Sequence, residues 1–175
     1  IPELMRIFMD EHGLGWDEAW DIVRQSVAYT NHTVMSEALE KWPQDLVQKL
    51  LPRQWEIMCE INRRWCDYLV ANFGQDERVG RNLIIRDGQV HMANMCLAAC
   101  YKVNGVSRLH GDILKADLFN DIYTLRPERF THVTNGIDHR RWLSQINPGL
   151  HGLICELLGD DRYMVEPERL EGLNA

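Results

Sequence analysis

Two short runs set small polar side chains between apolar flanks: Tyr29-Thr30-Asn31-His32-Thr33, and Val133-Thr134-Asn135-Gly136-Ile137 with Arg140-Arg141-Trp142 close behind. An Asn side chain offers two N–H donors and an acceptor, and a neutral His one of each; a ligand covered in hydroxyls, such as a sugar, needs that mixture. Each residue also has a plainer local reading. A lone His between two Thr residues reads as a structural residue satisfied by its surroundings. Asn135-Gly136 reads first as a turn, because both residue types tolerate positive φ. Asn104-Gly105-Val106 stands just ahead of a helical pattern and could simply be that helix's start, while Trp142 is most simply a core aromatic. His110 would share a helix face with Val106 and Ile113, which favours packing or a supporting hydrogen bond. No serine elbow, phosphate-cradling glycine loop, H-E-x-x-H pattern or pair of carboxylates on one turn occurs, so nothing in the chain performs chemistry by itself.

Mostly helices must position these residues. Ile1, Leu4, Met5 and Phe8 fall at helical spacing behind Pro2, which suits a first turn because it has no N–H to satisfy there. Gly13 and Gly15 break that helix, and Trp16, Ala19, Trp20 and Val23 make a second stripe with Asp17 and Glu18 near the positive end of its dipole. Pro43 and Pro52 bracket a short helix. Trp55, Met58, Ile61, Trp65 and Leu69 then mark the longest periodic segment in the chain. Leu83–Arg86 and Gln89–Met92 read as a hairpin closed by Asp87-Gly88. The apolar run 93–103 leans towards a buried helix, and Val106, Leu109, Ile113 and Leu114 continue as an amphipathic one. Phe130–Thr134 alternates like a strand ending at Asn135-Gly136. A last helix runs from Gly149 through Leu150, Leu153, Ile154 and Leu157 to a Gly159 stop, and residues 166–175 read as a frayed or loosely docked tail.

At 175 residues the chain fits one domain or a little more, enough to bury roughly 70% of its unfolded surface. Its apolar and charged fractions, 45% and 26%, are ordinary globular values. No apolar run approaches the ~20 residues that cross a bilayer, and the N-terminus lacks a basic-then-apolar signal pattern; the expectation is a cytoplasmic protein with no membrane partner. A formal net charge of −7 argues against a nucleic-acid partner, since such binding rests on phosphate neutralisation by Lys and Arg. Five cysteines without paired C-x-x-C spacing read as buried packing thiols rather than a zinc site.

Five blocks carry a resemblance in their order: Thr30-Asn31-His32-Thr33 followed by Glu37 to Pro43, Leu51-Pro52-Arg53 with Glu60 to Arg64, Val103-Asn104-Gly105-Val106, Thr134-Asn135-Gly136-Ile137, and Arg140-Arg141-Trp142. Together they closely resemble the glycogen, starch and maltodextrin phosphorylases, α-glucan phosphorylases that transfer a terminal α-1,4-linked glucosyl unit to phosphate and release glucose 1-phosphate. The resemblance implies a mainly helical α/β piece of a two-domain glycosyltransferase-type fold. Residues 1–135 would be the C-terminal part of the N-terminal domain, and 136–175 the start of the connection to the next. It makes His32 and Asn135 contacts of the transferred glucosyl unit, places Asn104 and Gly105 beside the sugar with Val106 as an apolar wall, and sets Trp142 near pyridoxal phosphate. Members carry that cofactor on a lysine of a glycine-rich segment not found here, so no cofactor is expected on this chain, which reads as an inactive internal fragment of a homo-oligomeric enzyme. Many members have Thr-Pro where this chain has Asp138-His139, and Asp serves as well as Thr for a helix N-cap. The competing reading is a stand-alone, non-catalytic helical carbohydrate-binding or interaction module.

Overall fold

A computed structural model describes residues 1–174 and resolves the chain into two compact units, Ile1–Thr134 and a second from Asn135 onward. In the first unit, α1 (Pro2–Arg6) starts with Pro at its first position and widens through Glu11; α2 (Trp16–Ser26) follows Gly15. Helix α3 (Gln44–Leu50) leads into α4 (Pro52–Phe73), the 22-residue helix that the apolar period predicts. It buries Ile57, Met58, Ile61, Trp65 and Leu69 and ends at Gly74, whose φ of 73° only glycine adopts at ease. Each of these side chains gains roughly 1.5–3 kcal/mol by leaving water, so α4 is held by its stripe. Arg63 and Arg64 are exposed beside that stripe, paired with Glu60, Asp67 and Asp17.

Two small sheets complete the unit. One is antiparallel, ordered β2 (Lys41–Pro43), β4 (Gln89–His91), β3 (Ile85–Arg86), with Asp87 at φ 51° and Gly88 at φ 71° making the expected hairpin turn. Strand β2 has no counterpart in the sequence reading, since three exposed residues ending in Pro leave no alternation to see. The other sheet is parallel: β5 (Val103–Gly105) lies between β1 (Tyr29–Thr30) and β6 (Phe130–His132). The expected helix over 93–103 is therefore shorter. Helix α6 (Met92–Ala99) stops at an extended Cys100, and Val103 joins the middle strand, where burial on both faces makes a strand as uniformly apolar as a core helix.

Helix α7 (Arg108–Ile113) begins after Ser107, whose Oγ accepts the His110 N–H at 3.0 Å. Its inward face is His110 and Gly111, whereas Leu109 is 72% exposed, so the predicted stripe is wrong at that position. A wide turn over Leu114–Leu118 and α8 (Asn120–Leu125) lead to β6. That strand ends at His132, two residues earlier than expected; residues 133–138 are irregular, and neither Asn135 nor Gly136 takes positive φ, so the tight turn predicted there does not form. The core gathers Met5, Val23, Ile57, Ile61, Leu69, Ile84, Val90, Leu97, Val103, Leu114 and Ile122. All five cysteines are free thiols, but only Cys100 is fully buried.

In the second unit, Asp138 Oδ1 accepts the Arg141 N–H at 3.1 Å, the capping role expected of it, ahead of a wide helical turn over Arg140–Gln145. Helix α9 (Pro148–Leu158) is capped by Asn147 and stopped by Gly159 at φ 81°. Its Ile154 and the phenol of Tyr163 are buried, while Tyr163 Oη lies 2.9 Å from His151 Nδ1. The tail is more ordered than expected: Pro167–Leu173 forms a 3-10 helix packed on α9, held by Arg169 to Asp160 at 2.6 Å. Residue 175 lies outside the described residues. None of the described helices is long and apolar enough to cross a membrane.

Candidate functional site

Ligands of open α/β sheets gather beyond the carboxyl ends of parallel strands, because chain reversals there present backbone and polar side chains in one place. In the first unit that edge is reached by three chain segments: Asn31-His32-Thr33 leaving β1, Gly105-Val106 leaving β5, and Val133-Thr134 leaving β6. The register fixes their relation. Thr30 pairs with Asn104, Asn104 with Thr131, and Gly105 with His132. Beyond the last pairs, the Asn31 N–H reaches Asn104 O at 2.9 Å and the Val133 N–H reaches Gly105 O at 3.0 Å. His32, Asn104, Gly105 and Val106, separated by about seventy residues of sequence, thus share one sheet edge.

The His32 loop is held by its neighbours. Asn31 is 2% exposed; its amide donates to Tyr29 Oη at 3.0 Å and its Oδ1 accepts the Thr33 N–H at 2.9 Å, while Thr33 Oγ1 accepts the Met35 N–H at 3.1 Å. These are the local side-chain-to-backbone bonds by which Asn and Thr set turns. His110 ties the loop to α7. Its Nδ1 accepts the Val106 N–H at 3.1 Å, which leaves the proton on Nε2 to be donated to Thr33 O at 3.0 Å. His32 is exposed, and its ring takes part in none of these bonds.

Asn104 is 8% exposed and largely satisfied internally: Oδ1 accepts from Thr30 Oγ1 at 3.0 Å and Nδ2 donates to Gly105 O at 3.0 Å. Gly105 is required by close backbone approach, and the approaching backbone is that of α7. A Cβ there would lie 2.7 Å from Gly111 N and 3.0 Å from Gly111 Cα. Val106 is half-buried. Asn135 and Trp142 belong to the second unit, where Asn135 is exposed and the Trp142 ring is 54% exposed rather than a core aromatic.

Of the supporting residues, Asn31 and Thr33 lie in the polar run that the sequence singles out and His110 is expected to pack or make a supporting hydrogen bond, whereas Ser107 and Gly111 are not among the residues the sequence offers. A buried Asn and His leave no periodic signal, although the His110 position on the Val106 face does foreshadow its bond. Two clefts elsewhere in the first unit, of about 310 and 720 Å³, are lined by neither His32 nor Asn104–Val106. Among the described residues, no group of three or more His, Cys, Asp or Glu is placed to hold a metal ion.

Sequence comparison decides the family: residues 1–175 match the carbohydrate phosphorylase family throughout. The chain belongs to the carbohydrate phosphorylases. It is 48% identical to human liver glycogen phosphorylase over 179 residues, covering 100% of this chain and 21% of that protein. Mouse muscle glycogen phosphorylase is 46% identical over 177 residues, 99% of the chain and 21% of the relative. The cytosolic alpha-glucan phosphorylase 2 of Arabidopsis thaliana is 47% identical over 178 residues, again 99% and 21%. The chain thus spans about a fifth of the length of the phosphorylases it matches, and within the family its sheet edge carries the His32 and Asn104-Gly105-Val106 blocks.

Proposed function

We propose that this chain supplies part of the sugar pocket of an α-glucan phosphorylase, which moves a terminal α-1,4-linked glucosyl unit of glycogen or a maltodextrin onto inorganic phosphate. The observation that carries the reading is the shared carboxyl edge of the parallel sheet, where an exposed imidazole stands on a loop fixed by Asn31, Thr33 and His110. His32 would hydrogen-bond a sugar hydroxyl, Val106 and the backbone at Asn104-Gly105 would form the wall beside it, and Asn135 would add an amide. Their work is binding and orientation. Residues 1–135 would close the N-terminal domain and 136–175 begin the interdomain connection, in a cytosolic homo-oligomer.

Pyridoxal phosphate, which the family implies, would supply proton exchange with the substrate phosphate. The residues present make no site for it. Lys102 donates to Glu128 O, Lys115 sits 3.4 Å from Asp112, and Lys41 and Lys49 stand on β2 and α3, so no lysine lies in a glycine-rich cradle. Trp142 is a single exposed ring that could at most flank a cofactor held elsewhere.

The test is made in the full-length enzyme. A hydrogen bond left without its partner costs roughly 1–3 kcal/mol, and about 1.4 kcal/mol is tenfold in rate. His32→Ala and Asn135→Ala are therefore expected to lower phosphorolysis of a short maltodextrin by about one to two orders of magnitude with unfolding midpoints nearly unchanged. Asp138→Thr, exchanging one N-cap for another, should be almost silent. Wild-type rates in both Ala variants would remove these residues from the site.

A further inference from the structure

The cleft of about 310 Å³ lies where α2, α4 and α6 meet, with Arg126 from the end of α8. Helix α2 contributes Trp16, Trp20 and Arg24, four residues apart and so on one face; α4 contributes Ile61, Arg64, Trp65, Asp67 and Tyr68. Guanidinium groups lie over the rings, Arg126 4.1 Å from the Tyr68 centroid and 5.0 Å from Trp65, and Arg64 5.0 Å from Trp16. Such stacking leaves the N–H edge of an Arg free for a planar acceptor.

The ionic bonds around the cleft do not balance. Asp67 is taken by Arg63 at 2.9 Å, and Arg64 by Glu60 and Asp17 at 2.7 and 2.6 Å. Among the described residues Arg24 has only Asp21, 3.9 Å away, and Arg126 donates only to neutral groups, Tyr68 Oη at 3.0 Å and Ala98 O at 3.3 Å. Arg129 stands near both, and burial together with their charge pushes its guanidinium down from its ordinary value. Two buried donors at the cleft, Trp16 Nε1 and Arg24 Nε, have no hydrogen-bond partner among the described residues. Orphaned buried donors are rare and call for an acceptor. In a chain whose net charge is −7, this surplus of cations is local.

We propose that this cleft is a binding site for a small aromatic anion, its carboxylate meeting the donors of Arg24, Arg126 and Trp16 and its ring lying against Trp20 and Ile61. A carboxylate supplies the acceptors that both orphaned donors and the unmatched guanidinium groups lack, and planar pairing with Arg is its strongest geometry. The apolar walls select a ring over a bare ion. The site shares no residue with the His32 edge.

The experiment uses the full-length protein and 1-naphthoate as probe, followed by calorimetry and ligand-detected NMR. Saturable binding is expected, on the order of tenfold tighter than for 1-naphthalenemethanol or cyclohexanecarboxylate, and weakening as salt is raised. Arg24→Gln, which gives up only the long, exposed pairing with Asp21 at 3.9 Å, should weaken it about tenfold with the unfolding midpoint nearly unchanged. Arg126→Gln should act likewise, but its stacking on Trp65 and Tyr68 makes Arg24→Gln the deciding variant. Absence of saturable binding, equal binding of the neutral alcohol, undiminished binding by Arg24→Gln, or displacement by phosphate at equal concentration would each overturn the proposal.

Discussion

A glycine and a histidine hold the candidate site together. Gly105 faces backbone, not a flexible side chain: an added Cβ would sit 2.7 Å from Gly111 N and 3.0 Å from the His110 carbonyl carbon. Neither can move without shifting α7 on the sheet. Gly105→Ala should therefore cost about 1–3 kcal/mol, read as a lowered denaturant midpoint. Gly152, inside α9 with nothing within 4 Å of the same construction, should respond oppositely, gaining roughly 0.5–1 kcal/mol on change to Ala. His91 supplies a pH dependence. It is buried on β4, and that burial, followed by the charges of Arg86 and Lys41, lowers its value below 6.5. The unfolded chain takes up this proton first as pH falls, so stability should decline from about pH 6.5 downward to the folded-state value. His91→Gln should flatten that limb only. The half-buried Glu60, held near 2 by its bonds to Arg63 and Arg64, acts in a separate window, its contribution present above about 4.5 and lost as pH falls towards 2. Urea midpoints measured between pH 7.5 and 3 separate the two; an identical slope in His91→Gln between pH 6.5 and 5 would rule out the histidine.

At the scale of elements, the turn at Asp87-Gly88 was legible because its chemistry is local: two adjacent residues with φ of 51° and 71° close the hairpin without help from the rest of the fold. Gly88→Ala should cost about 1–2 kcal/mol, the penalty of a left-handed residue with a Cβ, and a thermal midpoint identical to wild type would show that the hairpin tolerates another turn. Helix α4 was legible for a different reason, since 22 residues give a period of three and four room to repeat. The parallel sheet was not. Its strands are two or three residues long, too short for a period of two to be read, and its pairings join Thr30 to Asn104 across the sequence. Because the proposed site lies at that sheet's edge, the sequence could assign His32 and Asn104-Gly105-Val106 to it only through resemblance. Their shared edge, and the Asn31, Thr33 and His110 bonds that fix the loop, are tertiary facts. Leu109 shows the converse failure: it fits the helical stripe of α7 yet faces solvent, because the glycine contact with β5 sets which side of α7 turns inward.

Across the whole chain, large apolar side chains remain on the outside of both units. Leu50, Leu51 and Leu109 are exposed in the first; Ile137, Trp142, Leu153, Leu157 and Val165 are exposed in the second. Helix α9 is the clearest case, for its apolar positions 153 and 157 face outward while Ile154 alone is buried. Single exposed leucines are ordinary, but a helix whose stripe stays uncovered marks a surface that other protein covers. The chain spans only about a fifth of the phosphorylases it matches. The chain expressed alone should then associate into dimers or larger assemblies and bind a dye that reports apolar surface, and Leu153→Gln with Leu157→Gln should reduce both while leaving the helical circular dichroism signal intact. Light scattering that found a compact monomer at high concentration, with no dye bound, would mean that these faces are ordinary surface.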